Sequence, residues 1–109
     1  MSQSQIAIFS ALAEPTRFSI YEMLAHGGQL SASDIFKKFE VSNPSISQHL
    51  KVLREVELVQ VEKKAQQRLY QINPKKMQEL EHWIKKMTQQ WNERFDVLEV
   101  ALKREKAQL

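Results

Sequence analysis

A mainly α-helical fold carrying one two-stranded β-hairpin is what this sequence predicts, and three observations carry the prediction. Apolar residues recur at three- and four-residue spacing from Ile6 to Leu53. The period drops to two across LVQVEKK and RLYQI. Beyond Pro74 it is helical again, with no glycine and no further proline. The chain has 109 residues, 42% hydrophobic and 27% charged, with two glycines and three prolines, which suits a folded domain and excludes a low-complexity chain. One domain is expected over residues 1–109, with its core at about 9–72 and a long terminal helix at about 74–106.

Ile6, Phe9, Leu12 and Ala13 are expected on one face of a short first helix. Pro15 opens a second, because a missing N–H costs nothing in a first turn, and Phe18, Tyr21 and Leu24 supply its apolar face. Gly27-Gly28 stops it. Ser31-Ala-Ser-Asp34 has capping-box spacing and starts a third, short helix that buries Ile35, Phe36 and Phe39. After the tight Glu40-Val41 connection, Ser42 caps a fourth helix expected over about Asn43 to Val56, with Ile46, Leu50 and Leu53 as its inward stripe. Val59 and Val61 alternate with Gln60 and Glu62 in a first strand, and Tyr70 and Ile72 with Leu69 and Gln71 in its partner. A polar tip from Lys63 to Gln67 joins them, without the Asn-Gly or Asp-Gly that most favours a hairpin. Last, Met77, Leu80, Ile84, Met87, Trp91, Leu98 and Leu102 fall at helical spacing, in one helix or two in line.

Helix, short helix, tight turn, helix and hairpin make the order of a winged helix-turn-helix. In that arrangement the third and fourth helices pack through their apolar stripes and leave the outer face of the fourth for a major groove of double-stranded DNA. That face carries Pro44, Gln48, Lys51 and Glu55, flanked by Ser45, Ser47 and Arg54, with Asn43 at the helix start. Serine and glutamine exchange hydrogen bonds with base edges, whereas Lys51 and Arg54 reach base acceptors or phosphates. Lys63, Lys64 and Arg68 at the hairpin tip can lay cations along the minor groove or backbone. The bland alternative is a solvated helix face and a turn charged for solubility; the order of the elements favours DNA over it. A formal charge of +3 agrees with an anionic partner without identifying one.

The stretch ALAEPTRFSIYEML, followed by VSNPSISQHLKVLREVELVQVEKKAQQRLYQI, resembles the core of ArsR-family regulators from about Phe9 to Ile72. Within it SISQHLKVL is similar to that family's S-x-H-L-K-x-L recognition helix. QWNERFDVLE resembles the metal-independent members, which dimerise through the terminal helix. The resemblance implies a sequence-specific transcriptional regulator, a repressor that acts as a homodimer on a near-palindromic operator and carries no cofactor. The chain departs from the family where Glu57 stands in REVELV and where AQQ stands in the wing, both being places where glycine is common. It departs again in SASDIFKKF, which has none of the cysteines of metal-sensing members.

Dimerisation also follows from the residues, since a long terminal helix exposes more apolar surface than a small domain covers and a partner helix is the natural remedy. Trp83, Met87, Trp91, Phe95, Leu98 and Leu102 are the expected interface, with Ile6 and Phe9 of the first helix. An effector pocket lined by Trp83, Trp91 and Phe95 is the weaker reading, and no effector is legible. Zero cysteines exclude thiolate metal sites, and His26, His49 and His82 lack zinc-site spacing. An exposed polar face accounts for Glu79 and His82 more simply than a metal shared across a dimer. His49 borders the buried stripe and suits a hydrogen-bonded packing role. Ser47 and His49 point about 200° apart on a helix, so they form no dyad, and an enzyme is not expected. No apolar run approaches the roughly 20 residues of a membrane span, and the start lacks a cationic leader, so a cytoplasmic protein is expected. The rival reading is a winged helix that binds another protein; tight, salt-sensitive binding to a particular duplex separates the two.

Overall fold

The computed structural model describes residues 2–108. Eight elements follow one another: α1 (Gln3–Leu12), α2 (Pro15–Gly27), β1 (Leu30–Ser31), α3 (Ala32–Lys37), α4 (Asn43–Glu55), β2 (Val59–Lys64), β3 (Gln67–Ile72) and α5 (Pro74–Gln108). They form two compact units, one running to Met77 and the other from Gln78 onward.

Side chains fix the helix starts by accepting N–H groups that the first turn leaves without a carbonyl. Ser2 does this for α1, with Gln5 completing the capping box; Glu14 accepts from Arg17, Ser31 from Asp34 and Ser42 from Ser45. Gly28 ends α2 at a φ of 78°, where a side chain would be strained, and donates its N–H to the Leu24 carbonyl at 2.9 Å. The fourth helix ends in a Schellman motif: the N–H of Glu57 donates to Arg54 and that of Leu58 to Leu53, both at 3.0 Å.

Inside the first unit, Ile8, Ala11, Ile20, Tyr21, Leu24, Ile35, Ile46, Leu50, Leu53, Leu58, Val59 and Tyr70 are buried. Two helix faces differ from the expected ones. The buried residues of α1 are Ile8 and Ala11, while Ile6 and Phe9 are exposed; α2 buries Ile20 beside Tyr21 and Leu24, while Phe18 is exposed. The short α1 is apolar nearly all round, so Ile6-Phe9-Ala13 and Ile8-Ala11-Leu12 both satisfy helical spacing and spacing alone does not choose.

The sheet has three strands rather than two, antiparallel in the order β1-β3-β2. Leu30 pairs with Tyr70 and Ser31 with Leu69. A two-residue strand has no period to read, and its Ser31 also serves as the cap of α3. The hairpin tip is tighter than Lys63 to Gln67, because pairing continues to Lys64 opposite Gln67 and leaves only Ala65-Gln66 as the turn. Glu57 and Ala65, at φ of 63° and 54°, are the non-glycine residues with positive φ among those described. They fall at the two places where the resemblance to ArsR-family regulators implied glycine. The last helix runs for 35 residues without a break.

Candidate nucleic-acid interface

The fourth helix is amphipathic by construction. Ile46, Leu50 and Leu53 are at most 2% exposed, which fixes the inward stripe and turns the opposite face to solvent. Pro44, Gln48, Lys51 and Glu55 are exposed on that face, and Asn43, Ser47 and Arg54 are exposed beside it. Ser45 is half-buried, with its N–H donating to the Ser42 hydroxyl at 3.3 Å. Lys51 Nζ stands 4.0 Å from Glu55 one turn on, a contact between solvated groups that a phosphate can displace at little cost.

The pleat sorts the cations of the hairpin. Successive side chains point to opposite faces, so Val59, Val61 and Lys63 share one face of β2, and Arg68, Tyr70 and Ile72 share the matching face of β3. Lys63 and Arg68 therefore extend the core-facing side of the sheet past the core, directly opposite each other. Like charges in that position destabilise a sheet, and an anion placed between them relieves the repulsion. Lys64 lies on the other face with Gln60 and Glu62, and Glu62 accepts from Gln29 Nε2 at 3.3 Å. The three cations predicted as one group are thus two and one.

The recognition face and the hairpin meet. Ser33, Phe36, Ser47, Gln67, Arg68 and Tyr70 are among the residues lining a cleft of about 320 Å³ bounded by α3, α4 and the hairpin. Ser47 and Arg68, 21 positions apart by their numbers, open onto the same space. A smaller cleft between α3 and the start of α4 is lined by Ser33, Phe36, Lys37 and Asn43. Ser33 and Lys37 were not expected at the site. The adjacent Lys37-Lys38 on the helix before the tight turn was the available signal.

The expected dimer residues are apolar and solvent-facing for the most part. Ile6 and Phe9 are exposed on α1. In α5, Ile84, Met87, Trp91, Phe95, Leu98 and Leu102 are between 39% and 59% exposed, while Trp83 is half-buried. At about 100° per residue those six fall within an arc of roughly 80°. The rings of Trp91 and Phe95 meet edge to face with centroids 5.0 Å apart. Val97 and Val100 are exposed as well, outside that arc, and spacing did not mark them. Among the described residues no cluster of three or more His, Asp or Glu side chains could hold a metal, and no helix is long and apolar enough to cross a membrane.

A helix-turn-helix whose second helix offers a polar, cation-flanked face beside a basic hairpin defines the class of winged-helix DNA-binding regulators. Residues 12–62 match the family model of a helix-turn-helix domain. The chain is 36% identical over 77 residues to the transcriptional repressor SdpR of Bacillus subtilis (strain 168), covering 71% of this chain and 84% of that one. It is 35% identical over 74 residues to an arsenical resistance operon repressor of Staphylococcus xylosus, covering 67% and 70%. The crystal structure of an ArsR family transcriptional regulator superposes with a TM-score of 0.74 at 26% identity, covering 84% of this chain and 95% of that one. The chain belongs to the ArsR family of winged helix-turn-helix proteins. It is a DNA-binding transcriptional regulator and not an enzyme.

Proposed function

We propose that this protein is a cytoplasmic repressor that binds a near-palindromic operator as a homodimer and blocks transcription by occupying it. The observation that carries the reading is the cleft shared by Ser47 of α4 and Arg68 of the hairpin, which presents a base-reading group and a phosphate-binding group to one ligand. Ser47 and Gln48 read base edges in the major groove. Asn43, Ser45, Lys51 and Arg54 flank them and fix the register on the backbone, while Lys63, Lys64 and Arg68 hold phosphates or the minor-groove rim.

Two such surfaces are needed for specific binding, and the apolar stripe of α5 supplies the reason for two copies. From Ile84 to Leu102 the stripe is about 27 Å long at 1.5 Å per residue, and it is an unbroken seam for a second α5, with Ile6 and Phe9 of α1 as further contacts. A two-fold axis then sets two α4 helices in successive major grooves about 34 Å apart.

Duplexes selected by the protein from fragments of its source genome supply the operator for the test. Gln48→Ala is expected to lose about 1–3 kcal/mol on that operator and little on random DNA. Lys63→Ala is expected to weaken both duplexes alike and to flatten the salt dependence by roughly one unit of log K per log salt. A wild-type protein that selects no duplex in a salt-sensitive way would return the fold to the protein-binding reading.

A further inference from the structure

Arg17 joins three helices. Its backbone N–H donates to the Glu14 carboxylate at 2.8 Å, which caps α2, and its Nε–H donates to the Ala11 carbonyl at 2.8 Å in the last turn of α1. Its Nη1 stands 3.3 Å from Nδ1 of His49, in the middle of α4. A guanidinium only donates, so Nδ1 accepts and the ring proton sits on Nε2. Glu14 Oε2 is 3.6 Å from the same nitrogen, but pairing with it requires an Nδ1–H that would meet the donors of Arg17 head-on. The shorter contact and the permanent charge of arginine favour the accepting ring. The Glu14 carboxyl is held below its ordinary range first by the Arg17 N–H it accepts, against the opposing effect of burial, so an anion balances the guanidinium.

His49 follows Gln48 and precedes the buried Leu50, and its side chain is 19% exposed. The apolar contacts of Ile46, Leu50 and Leu53 hold α4 against the core, but they are non-directional and tolerate a small rotation of the helix about its axis. A hydrogen bond does not, because it weakens steeply as its angle closes. The difference matters for reading bases: a rotation of about 10° moves a side-chain tip 5–6 Å from the axis by about 1 Å, enough to lose a base-edge hydrogen bond.

We infer that Arg17 and His49 are positioning residues for DNA recognition: their contact fixes the rotation of α4 against the α1–α2 corner and so aims Ser47 and Gln48 at the bases. This rests on the assignment of α4 to the major groove. It assigns His49 no contact with DNA.

The test compares full-length wild-type protein with His49→Leu, His49→Asn and Arg17→Lys. Melting temperature is measured for each, together with affinity for the selected operator and for a random duplex of equal length. Leucine fills the site without an acceptor, whereas the asparagine carbonyl can accept near the place of Nδ1. His49→Leu and Arg17→Lys are expected to lose roughly tenfold or more on the operator while staying within about twofold on random DNA. His49→Asn is expected to return to within about threefold of wild-type. Wild-type operator affinity in His49→Leu overturns the inference. So does an equal loss on both duplexes that follows a lowered melting temperature, and so does an asparagine variant as poor as the leucine one. If wild-type protein selects no duplex, it is the assignment of α4 to DNA that has failed, and this inference falls with it.

Discussion

The unit ending at Met77 and the helix beyond it treat their apolar side chains in opposite ways. In the first, Ile8, Ile20, Leu24, Ile35, Ile46, Leu53 and Leu58 are at most 1% exposed. In the second, Leu80 is the one buried apolar residue among those described, and the stripe from Ile84 to Leu102 is 39% to 59% exposed. Composition does not explain the contrast, since both carry leucine and aromatic residues at similar density. Layering does: α1 to β3 wrap one another, whereas a lone helix has no second layer to bury its stripe. On the proposed dimer reading, stability is set within the chain in one region and by protein concentration in the other.

The sharpest way to break that comparison is to end the chain before Trp91. This removes Trp91, Phe95, Leu98 and Leu102, which are 50% to 59% exposed, so that full burial of the remainder by a partner would contribute about 1–1.5 kcal/mol each. The shortened protein is expected to sediment as a monomer and to lose more than roughly a hundredfold in operator affinity, because a half-site monomer must bind alone. A shortened protein that remains a dimer and protects the operator normally would put the interface elsewhere.

A smaller effect sharpens it. Leu53→Ala is expected to cost about 2–5 kcal/mol of unfolding free energy at any protein concentration, because it opens a cavity in a closed core. Leu98→Ala is expected to leave the unfolding of dilute protein nearly unchanged and to act only through the concentration dependence of the transition. Denaturant titrations at two well-separated protein concentrations measure both. A Leu98→Ala cost that ignores concentration would mean that α5 is stabilised within one chain.

How much of this was legible in the sequence depended on whether a signal was local. Ser42, Pro44 and the Ile46-Leu50-Leu53 stripe lie within one helix and placed α4 to within a residue of its end at Glu55. Strand alternation gave β2 and β3, and the absence of breakers gave α5. Where two apolar sets competed, as in α1 and around Phe18, periodicity had no means of choosing. β1 has only two residues and forms because β3 offers it an edge. The pairing of Lys63 with Arg68 depends on the register and so on a turn of two residues rather than five. The contact of Arg17 with His49 joins residues 32 positions apart, and nothing near either one announces the other.

The smallest expected effect lies in the two turns where a side chain occupies left-handed backbone. Glu57 is the residue after the cap of α4, the usual glycine position of a Schellman motif. Ala65 is the first residue of a two-residue hairpin turn and the one with positive φ, which is where a type II′ turn favours glycine. Left-handed backbone costs a residue with a Cβ roughly 1–2 kcal/mol, and glycine gives back roughly 0.5–1 kcal/mol of that in chain entropy, so each glycine variant should gain about 0.5–1 kcal/mol. The two sites are not equivalent. Glu57 Oε2 lies 3.4 Å from Lys76 Nζ, an ion pair exposed on the glutamate side and worth less than about 1 kcal/mol. The Glu57 carbonyl also accepts from Asn73 Nδ2 at 3.0 Å, and that backbone contact survives the substitution. Ala65→Gly loses only a methyl group and should therefore gain more than Glu57→Gly. Glu57→Ala, which loses the ion pair and keeps the backbone cost, should be the least stable of the three. Denaturation midpoints rank them, and a destabilised Ala65→Gly would mean that the paired strands, rather than the turn residue, set the cost. Both gains should persist in the chain ended before Trp91, because the strain lies wholly within the unit that buries its own core.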